Sequence, residues 1–391
     1  MFEKRLFDIY LSRLKSGGVE ITFWDGDTRR YGPAKPYVKL QIKSPQVVRR
    51  MAKNLSVGFG ESYAEGLIEV KGPLTDVVRL SIENPTAFKP FSRSFGKTHL
   101  NRNITKKQKK YIAHHYDIGN EFYKLWLDKS MLYTCAYFRS PEDSLEKAQE
   151  QKIDYILRKL RLEKSHSLVD LGCGWGTLLI TAAKKYNVTG LGVTLSEEQV
   201  TYANAAAKKA GVADKVRFEL TNYQDLPARG TLYDRVVSVG MMEHVGQGNQ
   251  ATFLKAVDAL LKPNAIAVTH FITQQTELPN DPWIDKYIFP GGYLPSPRQY
   301  IWDLPKHGFR LQDYENLRMH YALTLHEWRK RFNANRDKVI AMFDEQFYRM
   351  WDFWLASSEG SFLYGNIDLS HFVFTKGVVN DLPLTREDWY R

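Results

Sequence analysis

Apolar positions recur at helical spacing at the start of the chain, and the period then changes twice. Phe2, Leu6, Ile9, Tyr10 and Leu14 share one side of a helix expected over residues 2–14, with Lys4, Arg5, Arg13 and Lys15 around them. Such a basic amphipathic helix either docks on its own domain or lies in a lipid interface. Alternation over Val19–Trp24, a turn at Asp25-Gly26-Asp27 and further alternation up to Tyr37–Ile42 predict a β-meander. Helices around Pro45–Asn54 and Leu74–Ile82 complete a small α+β domain ending near residue 84. From about residue 150, strand and helix patterns take turns. Strands are predicted at Ser167–Leu171, Val188–Thr194, Val216–Leu220, Arg235–Gly240 and Ile266–Thr273, and helices at Thr177–Tyr186, Glu197–Ala210 and Ala251–Leu261. That alternation predicts βαβ units, hence an α/β fold with a doubly wound, mostly parallel sheet.

Charge changes the picture for the first quarter of the chain. The 391 residues include 55 Lys+Arg and 44 Asp+Glu, a net +11. Residues 1–110 hold 22 basic and 10 acidic side chains, whereas residues 111–391 hold 33 and 34. The whole excess therefore lies at the N-terminal end, which points to a polyanionic partner, nucleic acid or an anionic membrane surface. Asn84 to Tyr116 contains no acidic residue and eight basic ones, and reads as a flexible basic linker, either simply solvated or drawn to lipid headgroups. Two cysteines, Cys135 and Cys173, make neither a disulfide framework nor a Cys-rich zinc site. No apolar run approaches the roughly 18 residues of a spanning helix, and the first residues do not read as a signal peptide. A cytoplasmic protein is expected, one that would meet any membrane from outside.

The most informative local chemistry follows the first predicted strand of the alternating region. In Leu168–Gly176 (LVDLGCGWG) the glycines at 172, 174 and 176 alternate. They let the backbone turn sharply and approach a ligand without Cβ clashes. The spacing is neither the G-x-G-x-x-G dinucleotide fingerprint nor a phosphate loop, but a glycine-rich turn here marks a ligand crevice in an open α/β sheet. With Asp170 before it, the segment resembles motif I of S-adenosylmethionine-dependent methyltransferases. The second strand ends at Thr194, where many such enzymes carry an acidic residue for the ribose. Ser196 and Gln199 read as a capping box.

Further segments narrow the resemblance: His115–Tyr123 (HYDIGNEFY), Tyr133–Phe138 (YTCAYF), Val193–Gln199 (VTLSEEQ), Met242–Gly246 (MEHVG), Phe289–Ser296 (FPGGYLPS) and, near the N-terminus, Gly58–Gly66 (GFGESYAEG). Together they resemble cyclopropane-fatty-acyl-phospholipid synthases of the cyclopropane/mycolic acid synthase family. The resemblance implies a Rossmann-like class I methyltransferase sheet of seven strands in residues 111–391, a basic linker at 85–110, and a lipid-binding α+β domain at 1–84.

It also implies the chemistry and its residues. The substrate would be an unsaturated phospholipid, the cofactor S-adenosyl-L-methionine, and the base a bound bicarbonate ion. The bicarbonate cradle maps to the backbone of Cys135 and Ile272 and the side chains of Glu243, His270 and Tyr321, with His270 as an alternative base. Cofactor contacts map to Tyr133, Thr134, Asp170, Gly172, Gly174, Trp175, Gly176, Thr194, Gln199, Tyr223 and Gln224. No metal and no nucleic acid are expected, and the enzyme would be a homodimer peripherally attached to the inner face of the membrane. His114 and His115 read as structural. Relatives carry a cysteine where Ser358 stands here, which a bicarbonate mechanism tolerates. Three other readings remain open: a fatty-acyl methyltransferase giving methyl or methylene chains, a nucleic-acid methyltransferase suggested by the basic end, and a lipid-binding module without catalysis.

Overall fold

A computed structural model describes residues 2–92 and 118–390. Most of the basic linker, with His114 and His115, lies outside the described residues, while its first part, Pro85–Ser92, is helical. The described chain divides into two compact units. One takes in residues up to 92 with 279–290 and 325–366; the other takes in residues from 118 to 278, 291–324 and 367–390. The expected division into a domain at 1–84, a linker at 85–110 and a domain at 111–391 does not include residues 279–290 and 325–366 in the first unit.

In the first unit, β1 (Val19–Thr22), β2 (Thr28–Tyr31), β3 (Val38–Ile42) and β4 (Ile68–Lys71) form a sheet in the order β2-β1-β3-β4. The expected meander is corrected here, because β3 pairs parallel to β1 on the side away from β2. The chain between β2 and β3 instead crosses the residues leading into β1. Ala34 N–H donates to Gly17 O and Tyr37 N–H to Gly18 O. A Cβ on Gly18 would stand 2.6 Å from the Ala34 carbonyl oxygen, so only glycine admits the crossing.

Two further gaps in the sequence reading lie in this unit, β4 and the helix Leu55–Ala64. That helix carries Gly58 and Gly60. A Cβ on Gly58 would stand 2.4 Å from the backbone of Arg50 and Met51, and one on Gly60 would overlap the Trp283 ring. The GFG motif is therefore a packing surface for the helices Pro45–Lys53 and Pro282–Tyr287. The long helix Glu345–Leu363 completes the unit. Its Arg349 guanidinium donates to the carbonyls of Tyr63 and Ile68 at 2.6 and 2.8 Å, and Phe353 lies against Phe59 and Tyr63. Ser358 sits on this helix.

The second unit carries seven strands in the order β10-β11-β9-β8-β5-β6-β7, as the resemblance implied. They are β5 (Ser167–Leu171), β6 (Thr189–Thr194), β7 (Val216–Leu220), β8 (Tyr233–Val239), β9 (Leu261–Thr273), β10 (Phe309–Asn316) and β11 (Asp368–Lys376). The five strands read from the sequence pair in parallel, and β11 enters antiparallel between β9 and β10. Both faces are covered, which explains their near-continuous apolar runs. Helices Leu145–Lys159, Thr177–Tyr186 and Glu197–Lys209 pack on one face through Ile153, Leu179 and Ala203. Gln250–Leu260 and Pro297–Asp303 cover the other through Phe253 and Tyr300.

Candidate active site

The loop after β5 is held by its neighbour strand. Gly172 and Cys173 N–H both donate to Val193 O at 3.0 Å, which turns the loop over the carboxyl end of β6. Gly172, Gly174 and Gly176 all have positive φ, at +87°, +53° and +87°, so none tolerates an ordinary L side chain without strain. Their roles nevertheless differ. A Cβ on Gly174 would meet open space, whereas one on Gly176 would stand 2.7 Å from the Phe218 ring. Gly174 thus faces the crevice, and Gly176 lets the following helix close on the sheet.

The crevice is lined by Tyr133, Thr134, Asp170, Gly172, Gly174, Trp175, Thr194, Gln199 and Tyr223, among others. Gly176 and Gln224, also expected to touch the cofactor, are absent from that lining. The Gln224 amide donates to the Tyr223 hydroxyl at 3.2 Å. Trp175 is fixed by donating to Asn120 at 2.7 Å and by an edge contact with Tyr123. The capping box at Ser196 is only half formed. Ser196 Oγ accepts from Gln199 N–H, but the Gln199 side chain turns away to accept from Thr194 Oγ1 at 2.6 Å. The two residues that stand in place of a ribose-binding acid are therefore joined at the rim of the crevice.

Beneath the crevice is a buried electrostatic cluster. Asp170, whose Oδ1 is buried without a hydrogen-bond partner among the described residues, is pushed up to about 7 by burial, against the pull of Lys152. Lys152 in turn is pushed down to about 8 by burial, and its ammonium donates to Thr134 Oγ1 at 2.7 Å. Lys152 also lines the crevice.

The five residues expected to cradle the base fall into two groups. Glu243 sits in a short 3-10 turn after β8, and its Oε1 accepts from Ile272 N–H on β9 at 2.7 Å. His270 lies two residues before Ile272 and so projects to the same face of β9. Glu243 Oε2 and His270 Nε2 are both buried and have no hydrogen-bond partner among the described residues. Burial raises the Glu243 carboxyl to about 7 and holds His270 neutral.

Cys135 and Tyr321 form the other group. Ala136 N–H donates at 2.9 Å to Thr324 Oγ1, which lies on the same helix as Tyr321, so the backbone at Cys135 and that helix are pinned together. The Cys135 thiol is buried and raised above its ordinary value, which makes it no nucleophile.

These features can be set beside known proteins. Residues 103–372 match the family described as mycolic acid cyclopropane synthetase. The chain belongs to this family. Residues 6–92 match a domain of unknown function. A cyclopropane-fatty-acyl-phospholipid synthase of Escherichia coli is 37% identical over 355 residues, 89% of this chain and 90% of that protein. A protein of Pseudomonas putida named probable fatty acid methyltransferase is 35% identical over 384 residues, 95% and 96% of the two chains. Among solved structures, mycolic acid cyclopropane synthase CmaA1 complexed with SAH and CTAB is 31% identical with a TM-score of 0.65, covering 68% of this chain and 98% of that one.

Membership of the cyclopropane synthetase family makes this chain an S-adenosylmethionine-dependent methyltransferase. The residues fit that cofactor: an alternating glycine loop, a buried Asp170 whose Oδ1 has no hydrogen-bond partner among the described residues, and a polar rim at Thr194 and Gln199. The sequence reading missed Met131, Leu132, Lys152, Met241 and His244 in the crevice wall. Lys152 offers no local signal, because it is one of several lysines on a long helix. It also missed His371, whose Nε2 lies 2.6 Å from His270 Nδ1.

Proposed function

We propose that this enzyme is a cyclopropane-fatty-acyl-phospholipid synthase, acting on a cis double bond within a phospholipid acyl chain. The observation that carries the reading is the pair of buried, unpartnered polar atoms, Glu243 Oε2 and His270 Nε2, carried by β9 and by the turn after β8. An ordinary methyl acceptor such as an amine brings its own lone pair. An alkene does not, so the cation left by methyl addition must lose a proton to a base inside a dry site.

S-adenosylmethionine, when bound, supplies an electrophilic methyl group on a sulfonium; Gly172, Gly174, Thr194, Gln199 and Tyr223 would hold it. Bicarbonate, when bound, supplies the base. Glu243, once ionised, would accept its O–H at Oε2 and His270 Nε2 would donate to its oxygen, with Tyr321 and the backbone at Cys135 completing the cradle. In the overall change one C–C bond forms to the incoming methyl carbon as its bond to sulfur breaks. A proton then leaves that carbon and a second C–C bond closes the ring.

Among the described residues no helix is long and apolar enough to cross a membrane. The proposal includes peripheral attachment to the cytoplasmic surface of a membrane, supported by the basic excess of residues 1–110, which would be drawn to anionic headgroups. A homodimer would double that attraction.

The test is turnover of labelled cofactor on vesicles of a defined cis-unsaturated phospholipid, free of nucleic acid, followed by mass spectrometry of the acyl chains. The expected product has gained one CH2 and lost its double bond to a ring. A methylene or methyl-branched chain instead would establish the second reading, which the long match to the Pseudomonas putida protein favours.

A further inference from the structure

His270 is held from behind by a chain of buried groups that relays a hydrogen-bond direction. Across the β9–β11 register it stands opposite His371, and the two side chains are 2% and 0% exposed. Their Nδ1 and Nε2 atoms lie 2.6 Å apart. A neutral imidazole has one N–H donor and one acceptor, so one ring must donate to the other. Which one donates is decided a step further back. Lys159 Nζ lies 3.3 Å from His371 Nδ1, and an ammonium can only donate.

Lys159 is fully buried, but acidic and aromatic partners surround its charge. Glu315 Oε2 accepts from it at 2.6 Å, Asp313 lies at 3.8 Å, and the Tyr155 ring lies 4.3 Å beneath the ammonium. Tyr155 also donates to Glu315 Oε2 at 2.6 Å. The remaining steps follow from donor counting. His371 accepts at Nδ1, so its proton is on Nε2. It donates to His270 Nδ1, so the His270 proton is on Nε2, the atom with no partner.

We infer that Glu315, Lys159 and His371 form a positioning chain that locks His270 as a hydrogen-bond donor at Nε2 and so removes it as the base. Both rings remain neutral, because burial and the charges of Lys152 and Lys159 disfavour an imidazolium. What His270 donates to rests on the proposed function. The tautomer itself is a property of the protein alone.

The test is nitrogen NMR of the full chain with labelled histidine, alongside turnover on unsaturated phospholipid vesicles. His270 is expected with a protonated Nε2 and a bare Nδ1. In His371→Leu its two nitrogens should move towards a mixed tautomer, with kcat lowered about tenfold or more and KM little changed. His371→Gln, whose amide can still donate to Nδ1, should restore the Nε2 tautomer and recover part of kcat. A parent spectrum with the proton on Nδ1 would overturn the inference without any variant having to fold. So would an unaltered tautomer in a folded His371→Leu. A protonated Nε2 in an enzyme that makes no cyclopropane would leave this chain standing and remove the proposed function instead.

Discussion

Burial raises the Glu243 carboxyl from its ordinary 4.5 to about 7, while the Ile272 N–H pulls it the other way. The folded chain therefore keeps that proton up to about pH 7, whereas the unfolded chain loses it above about 4.5. Between these values the unfolded state binds fewer protons, so stability is lost as pH rises, by up to about 3 kcal/mol from this group. Glu243→Gln removes that dependence. Its melting temperature relative to the parent should rise between pH 5 and pH 8, measured without ligand. A constant difference across that range would contradict the assignment.

The glycine loop gives a second contrast at this scale. Gly174→Ala, facing open space, should weaken cofactor binding in calorimetry at a stability cost of about 1–2 kcal/mol for its φ. Gly176→Ala must also push against Phe218, and should cost more, about 2–4 kcal/mol. Reading three alternating glycines found the loop because its signal is local. Telling the two roles apart needed Phe218, 42 positions on from Gly176.

Elements joined by buried polar side chains are where the sequence was least legible. Asn84 lies between helices and looks like an ordinary breaker. Its Oδ1 accepts from Lys15 and Ser16 N–H, and its Nδ2 donates to the carbonyls of Ser16 and Leu80, all between 2.7 and 3.0 Å. Asn84→Ala would strip a partner from four backbone groups in one buried and three part-buried hydrogen bonds, and should destabilise the chain by about 2–4 kcal/mol in denaturant unfolding. Asn84→Asp, which keeps only the acceptor half, should fall between.

The predicted βαβ elements match closely, because periods of 2 and 3.6 are written in consecutive residues. Failures came where chain path, not period, decides. The meander became a crossover because Gly17 and Gly18 admit the passing loop between β2 and β3. β10 and β11 were not read at all, and His371 and Lys159 meet across 212 positions with no local mark.

For the whole molecule, the basic excess is distributed more narrowly than the count over 110 residues suggests. Residues 1–92 hold 15 basic against 10 acidic side chains, while residues 93–110 add seven basic and no acidic ones. Among the described residues many charges are paired, as with Lys4 to Asp25 and Asp27, Arg29 to Asp8, and Arg30 and Lys39 to Glu20. Attraction to a membrane should therefore rest mainly on residues 93–110. Replacing Lys106, Lys107, Lys109 and Lys110 with Gln should weaken binding to anionic vesicles by about 1 kcal/mol per residue and leave binding to neutral ones unchanged. Sedimentation with vesicles at two salt concentrations measures this, and an equal loss on neutral vesicles would rule out an electrostatic origin.

The antiparallel β11 has a consequence for biosynthesis. It is the last strand of the sheet in chain order, yet it lies between β9 and β10. Until it emerges from the ribosome, β9 is an open edge with unpaired amides, the kind of surface that recruits other chains. His270 at that stage has no His371 behind it. The growing polypeptide can therefore fold its glycine loop early, yet it carries that open edge, exposed to aggregation, until β11 slots in between β9 and β10.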